Sequence, residues 1–300
     1  MNKLLGRYRN GNYTVMIFDD GTKIRCNDLD NLTPDKPECI DIKITNKCDM
    51  GCPMCHENST PDGLHGNILG LPFIKTLLPY TELAIGGGNP LEHPDLVSFL
   101  KELKSYNIIP NITVNQNHFM RNIDFLKRLC DEQLIYGLGI SLTAVTDEFI
   151  TAIQQFPNAV IHIINGIARI EDIFKLYDKG LKILILGYKI IRRGKDLYDK
   201  DSKDIETKKS EMYDIILDMI QHFDCISFDN LAIEQLDIQS LPMFNEDGAW
   251  EKFFMGNDGQ YTMYIDLVNG EFAKSSTSLN RYPITSDIKE MFEVVRHEEE

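Results

Sequence analysis

Cys48, Cys52 and Cys55 stand in the stretch Cys48-Asp49-Met50-Gly51-Cys52-Pro53-Met54-Cys55, separated by three and then two residues. Thiolates are soft ligands, and a tight triplet on one loop can converge on a single metal centre. On a [4Fe–4S] cube, three thiolates would leave one iron without a protein ligand. An open metal position is where an exogenous molecule can bind and react, whereas a closed site is usually structural or redox-only. Three other readings use the same residues. Cys52-Pro53-Met54-Cys55-His56 matches the attachment pattern of a c-type haem, and Cys52 with Cys55 matches a thioredoxin-like redox pair. Cys48, Cys52, Cys55 and His56 could close a structural zinc site. Haem attachment requires export, and no secretory pattern is visible. A redox pair leaves Cys48 without a role. Zinc sites usually take two ligands from each of two knuckles, and no second knuckle follows.

A second constellation is Ile85-Gly86-Gly87-Gly88-Asn89-Pro90. Glycines let a ligand approach the backbone with no Cβ in the way; the plainer reading is a tight strand-to-helix turn. Asn115, Ser141, Asn165 and Leu186 lie at or near the ends of later apolar runs. Each polar one alone suits a cap or a turn. Together they fall at the carboxyl ends of successive strands, where barrels place active sites. His56, Glu57 and His65 flank the cysteine loop. Lys189, Arg192, Arg193 and Lys195 follow the last of these runs, where an anionic group could be held or a solvated loop could balance acidic neighbours.

The elements that must position these residues are short and regular. Runs at 39–44, 82–86, 109–115, 137–143, 159–165 and 181–187 are rich in Ile and Val and read as strands of a buried parallel sheet. Between them lie helical stripes: Leu96, Phe99, Leu100 and Leu103; Phe119, Ile123, Leu126 and Cys130; Ile167, Ile170, Phe174 and Tyr177. Six strand–helix units predict an α/β fold. Periodicity alone does not separate a partial (β/α)6 barrel from a doubly wound sheet. Residues 1–38 read as an N-terminal hairpin, with strands at 13–18 and 22–26, and a lead-in. Residues 39–223 form the core, with 196–211 as a charged, solvated linker before a long helix. Residues 224–300 form a C-terminal α+β extension: strand pieces at 225–228 and 231–234, a hairpin about Asn269-Gly270, and a closing helix near 287–293.

Composition narrows the function. The chain has 300 residues, of which 43% are hydrophobic, enough for a sizeable core. Its formal net charge is −15, so nucleic acid is an unexpected partner. No run is long enough for a membrane span. Seven cysteines and no secretory start predict a reducing, cytoplasmic setting with free thiols. Cys26, Cys39, Cys130 and Cys225 show no cluster spacing.

The cysteine spacing and the glycine-rich turn about thirty residues later resemble the signature of the radical S-adenosylmethionine (SAM) enzymes. The resemblance covers about residues 39–190 and implies a partial (β/α)6 barrel. It implies a [4Fe–4S] cluster on Cys48, Cys52 and Cys55, with SAM chelating the fourth iron and cleaved to a 5′-deoxyadenosyl radical. By position, Gly86, Gly87, Gly88 and Asn89 would meet the SAM amino group, where the family often has Gly-Gly-Glu-Pro. Asn115 would face SAM, Ser141 its carboxylate or ribose, and Leu186 its adenine, with Asn165 at the fifth strand end. Met54 stands where many members carry an aromatic. The resemblance further implies oxygen sensitivity and an electron donor such as flavodoxin or ferredoxin. It leaves the substrate open between a small anionic metabolite or nucleotide and a peptide side chain. Residues after 224 would then cover the open side of the barrel as a substrate-side lid, with the N-terminal hairpin pairing against them. The alternative is a non-catalytic metal-binding or electron-transfer protein, holding Fe–S or zinc on an α/β scaffold.

Overall fold

Each of the six Ile/Val-rich runs forms a strand in the computed structural model, which describes residues 3–28 and 31–298. They are β4 (Cys39–Thr45), β5 (Glu82–Gly87), β6 (Ile109–Asn115), β7 (Gly137–Ser141), β8 (Ala159–Ile164) and β9 (Lys182–Leu186). Ahead of them come β1 (Leu4–Asn10), β2 (Tyr13–Phe18) and β3 (Lys23–Cys26); after them come β10 (Cys225–Phe228), β11 (Thr262–Asp266), β12 (Glu271–Ala273) and β13 (Tyr282–Pro283). The helices are α1 (Leu96–Ser105), α2 (Gln116–Arg121), α3 (Ile123–Asp131), α4 (Asp147–Ile153), α5 (Ile170–Phe174), α6 (Arg193–Met219), α7 (Asn230–Gln235), α8 (Ala249–Phe253) and α9 (Ile288–Arg296).

The main sheet has the order β10-β9-β8-β7-β6-β5-β4-β11-β12-β13. From β4 to β10 every strand pairs parallel with the next one in sequence, and β11 pairs parallel with β4. A doubly wound sheet reverses its strand order at a switch point; this run of strands has no reversal. The sheet is nevertheless open, with β10 and β13 as its edges. β12 and β13 close the order antiparallel.

Alternation along the strands sorts residues onto two faces. Ile40, Ile42, Ile44, Leu83, Ile85, Ile112, Val114 and Ile140 are buried in one core with Phe99, Leu100 and Leu103 of α1 and Leu126 of α3. Full burial of each such side chain contributes about 1.5–3 kcal/mol. The positions between them, including Asp41, Lys43, Thr113 and Asn115, face the other way and line a cavity.

Four expectations change. The N-terminal strands form their own three-stranded sheet rather than pairing with the C-terminal hairpin, and Leu4–Asn10 supplies a strand that its mixed composition did not signal. The charged segment 196–211 is helical, part of α6, with a kink at Asp201. Its charges are spaced for helix pairs, Lys195 with Asp199 at 2.7 Å and Lys208 with Asp204 at 2.6 Å. Residues 231–234 belong to α7, because the Asp229 carboxylate accepts from Ala232 N and caps a helix there. The third helical stripe shifts: Ile173 and Leu176 are buried, whereas Phe174 is exposed. The hairpin about Asn269-Gly270 and the closing helix are present as expected.

Glu38, fully buried, joins the two sheets. It accepts from Tyr13 Oη at 2.5 Å and Arg25 Nε at 2.9 Å, and Lys23 Nζ lies 3.4 Å away. Arg25 in turn stacks on the Tyr261 ring, 3.8 Å from its centroid. Removing one partner of a buried pair leaves an uncompensated charge. Glu38→Ala is therefore expected to lower stability by about 3 kcal/mol in urea unfolding. A loss below about 1 kcal/mol, the worth of an exposed pair, would show that the sheets are held by apolar packing alone.

Candidate active site

The cysteine loop leaves the end of β4 and is braced by the glycine turn at the end of β5. Gly88 N donates to Thr45 O at 2.7 Å and Asn89 N to Lys47 O at 2.7 Å. The approach is too close for side chains. A Cβ on Gly88 would lie 2.2 Å from Lys47 O, and one on Gly87, at φ +109°, would lie 2.4 Å from Thr45 O. At Gly86 the same atom would meet nothing within 4 Å. Two of the three glycines thus serve backbone packing against the chain that enters Cys48, and Gly86 leaves open space in the cavity. Within the loop, Cys48 N donates to Thr60 O at 2.9 Å and Cys55 N to Cys52 O at 3.2 Å.

Side chains fix the loop from both flanks. Asp49 lies 2.6 Å from His118 Nε2 and 2.9 Å from Arg121, both on α2. The hydrogen bond from His118, then that from Arg121, holds the Asp49 carboxyl below the usual range. Cys48, Asp49 and His118 bring ligand atoms within 4.8 Å of one another, but His118 Nε2 is already engaged by Asp49. On the other flank Arg192 donates to His56 O at 2.8 Å and Arg193 to Ser59 O at 2.7 Å. Two members of the basic run after β9 therefore grip the cysteine loop. Lys195 pairs with Asp199 on the exposed surface of α6.

Below the loop lies a buried charge cluster. Lys43 Nζ is 3.0 Å from Glu57 and 3.0 Å from Asp266. Tyr264 Oη donates to Glu57 at 3.3 Å, and His56 Nε2 lies 3.3 Å from the same carboxylate. Burial opposes the charge on Glu57, but the hydrogen bond from His56 and the charge of Lys43 outweigh it, keeping the carboxyl ionised. Burial, helped by Lys189, holds His56 below its usual value.

These elements enclose a cavity of about 330 Å³. Cys48, Cys52, Cys55, Gly86, Gly87, Gly88, Asn115, Ser141 and Leu186 all line it. Asn89 and Asn165 are elsewhere. Asn89 accepts from Leu91 N and donates to Glu92, closing the turn. Asn165 is fully buried and donates to Gln235 of α7 at 3.3 Å. Asn115 caps α2 through its carbonyl and turns its amide toward Cys52 Sγ at 3.9 Å. Burial, then the neighbouring cysteines, pushes the Cys48 and Cys52 thiols up, so metal binding would release protons. Asp41, Lys43, Thr113, His162 and Tyr264 also line the cavity and went unflagged in the sequence. Their signal was present as polar residues alternating with isoleucine and valine, as in Ile40-Asp41-Ile42-Lys43-Ile44 and Ile161-His162-Ile163.

The donor set suits an iron–sulfur cluster with one open iron. Cys48, Cys52 and Cys55 line one cavity, and His56, the fourth ligand of the zinc reading, is turned to Glu57. No protein-family model matches the sequence, and no curated protein matches it. Among solved structures the chain is similar to Streptococcus suis SuiB. With SuiB bound to the precursor peptide SuiA, the TM-score is 0.60 at 12% identity, over 99% of this chain and 88% of that one. With SuiB bound to S-adenosylmethionine, it is 0.59 at 13% identity, over 99% and 88%. Likeness at this identity is likeness of fold. Among the described residues, no helix is long and apolar enough to cross a membrane.

The brace makes the glycines unequal. Gly88→Ala is expected to cost about 1–3 kcal/mol by overpacking and to speed labelling of Cys48 by a thiol reagent, whereas Gly86→Ala changes neither. Urea unfolding and labelling rates measure both; equal effects at the two positions would refute the brace.

Proposed function

We propose that the chain is a radical SAM enzyme, with Cys48, Cys52 and Cys55 holding a [4Fe–4S] cluster. The observation that carries this reading is the meeting of the three cysteines, the open face at Gly86, Asn115 and Ser141 in one cavity at the carboxyl ends of parallel strands. When bound, the cluster would supply the electron that splits SAM into methionine and a 5′-deoxyadenosyl radical, after reduction by a donor such as flavodoxin or ferredoxin. The chain's own work is positional. Gly86 gives SAM access to the backbone, Asn115 and Ser141 offer it polar contacts, and Leu186 an apolar surface. Asn89, closing its turn, and Asn165, buried behind the wall, act on this site through the segments they fix.

The fold shared with SuiB, which has been solved with SAM and with a precursor peptide, supports this reading and a peptide side chain as the substrate. Of the three cations that argue for a small anionic metabolite, Arg192 and Arg193 are engaged by the cysteine loop, whereas Lys189 lines the cavity and donates to Ser276 Oγ at 2.9 Å. We assign residues 224–300 to the substrate side of the site, because Tyr264 and Ser276 line the cavity. Asp266 also pairs with Lys43 there, so the segment has a structural role as well.

Anaerobic reconstitution should give about four irons and four sulfides per chain. Cys52→Ala should lose most of the cluster absorbance, and the reduced wild type should release 5′-deoxyadenosine from SAM. One zinc per chain with no iron would establish the structural-zinc alternative instead. An intact cluster whose spectrum ignores SAM, with no 5′-deoxyadenosine formed, would leave an electron-transfer protein.

A further inference from the structure

Two lysines line the cavity, and their partners divide them. Lys43 is neutralised by Glu57 and Asp266, each at 3.0 Å. Lys189 gives its ammonium to a neutral group, Ser276 Oγ, at 2.9 Å. Ser276 lines the same cavity and comes from the loop between β12 and β13. Among the described residues, no carboxylate forms an ion pair with Lys189, although acids outnumber bases in this chain by 46 to 31. Asp41 and Asp229 feel its charge, which opposes the effect of burial on both, but neither closes to an ion pair.

The serine is held in place from behind. Arg281 donates to Ser276 O at 2.7 Å and lies over the Tyr264 ring, 5.1 Å from its centroid. Ser275 N donates to Ser278 Oγ at 3.0 Å, and Ser275 Oγ lies 3.0 Å from Thr277 Oγ1, so the loop closes on itself. A hydroxyl that accepts from a lysine keeps its own hydrogen to donate. Lys189 and Ser276 thus set an ammonium donor and a hydroxyl donor side by side on the cavity wall, spaced for the two oxygens of one carboxylate. A bond that only stitched the loop to the end of β9 would need no charge. The pair also comes from segments other than those that bear the cysteines, Gly86, Asn115 and Ser141, which favours the substrate over SAM as its ligand.

We propose that Lys189 and Ser276 form the substrate-recognition subsite of this cavity and that the substrate presents to them a carboxylate, an aspartate- or glutamate-like side chain. Arg281 is a positioning residue that fixes Ser276. The inference rests on the reading of the cavity as a radical SAM site and names the substrate chemistry within it. SAM carries a carboxylate too, so the test must separate the two sources.

The probes are the N-acetyl amides of glutamate, glutamine and lysine, titrated into the reconstituted protein by ligand-observed NMR with and without SAM. The glutamate amide is expected to bind about tenfold more tightly than the glutamine amide, the worth of a charge-assisted hydrogen bond. Lys189→Gln should abolish that preference, and Lys189→Arg, which keeps the charge, should retain it. Asp41→Asn, which removes a competing negative charge, should tighten binding of the glutamate amide. Ser276→Ala should weaken it about fivefold and decides the matter if Lys189→Gln does not fold. The affinity of Lys189→Gln for SAM should stay within about twofold of wild type. The proposal is overturned if none of the amides binds, if the glutamate and glutamine amides bind alike, if the lysine amide binds best, or if Lys189→Gln keeps the preference. A tenfold loss of SAM affinity in Lys189→Gln would assign the subsite to SAM and overturn it equally. None of these readouts needs SAM cleavage. A protein that binds the glutamate amide through Lys189 but never yields 5′-deoxyadenosine would keep this inference and lose only the proposed activity.

Discussion

Glu57 is the point at which the molecule is tied together. Its carboxylate is met by Lys43 from β4, His56 from the cysteine loop, Tyr264 from β11 and Arg192 from the segment after β9. A lone buried carboxylate would be strongly unfavourable, and so would a lone buried lysine. Each is tolerable only while the others are in place. The geometry of the cysteine loop is thus coupled to strands that lie far apart in sequence. A buried ionic cluster contributes little net stability, and its value here is that it accepts one arrangement of those four segments and penalises others.

The sheet works as a partition. Its buried face carries isoleucine, valine and leucine against the helices, and its other face carries Asp41, Lys43, Thr113, Asn115 and Ser141 into the cavity. The glycine turn adds the third dimension, since Gly87 and Gly88 bring two strand ends into backbone contact and hold the loop over that cavity. Structure and chemistry therefore use alternate residues of the same strands. A substitution at Ile42 is felt in the core, and one at Asp41 or Lys43 in the cavity.

Much of this was legible in the sequence. The triplet at 48–55 and the glycines at 86–88 marked the loop and its neighbour, and six apolar runs marked six strands to within two residues. What escaped was long-range. Lys43 was seen as a strand residue, but nothing local told that it is bound to Asp266. Arg192 and Arg193 were left open between an anion site and a solvated loop because sequence shows their charge and not their partners. Asn89 and Asn165 were placed by position in a motif, and position does not report which way a carboxamide turns. The charged stretch 196–211 read as a linker because its many charges drew more weight than their helical spacing.

The pairing of β11 with β4 carries a consequence for the order in which the molecule is made. Ile40 finds its parallel neighbour in Met263, and Lys43 finds Asp266. During synthesis the strand that leads into the cysteine loop emerges early, yet one of its two edges stays empty until more than two-thirds of the chain has followed. Contacts of such long sequence separation form late, because chain entropy must be lost before they can stabilise anything. For that interval Lys43 lacks the Asp266 carboxylate and Cys48, Cys52 and Cys55 sit on an unfinished support. The three thiols thus leave the ribosome before the cavity that shelters them exists.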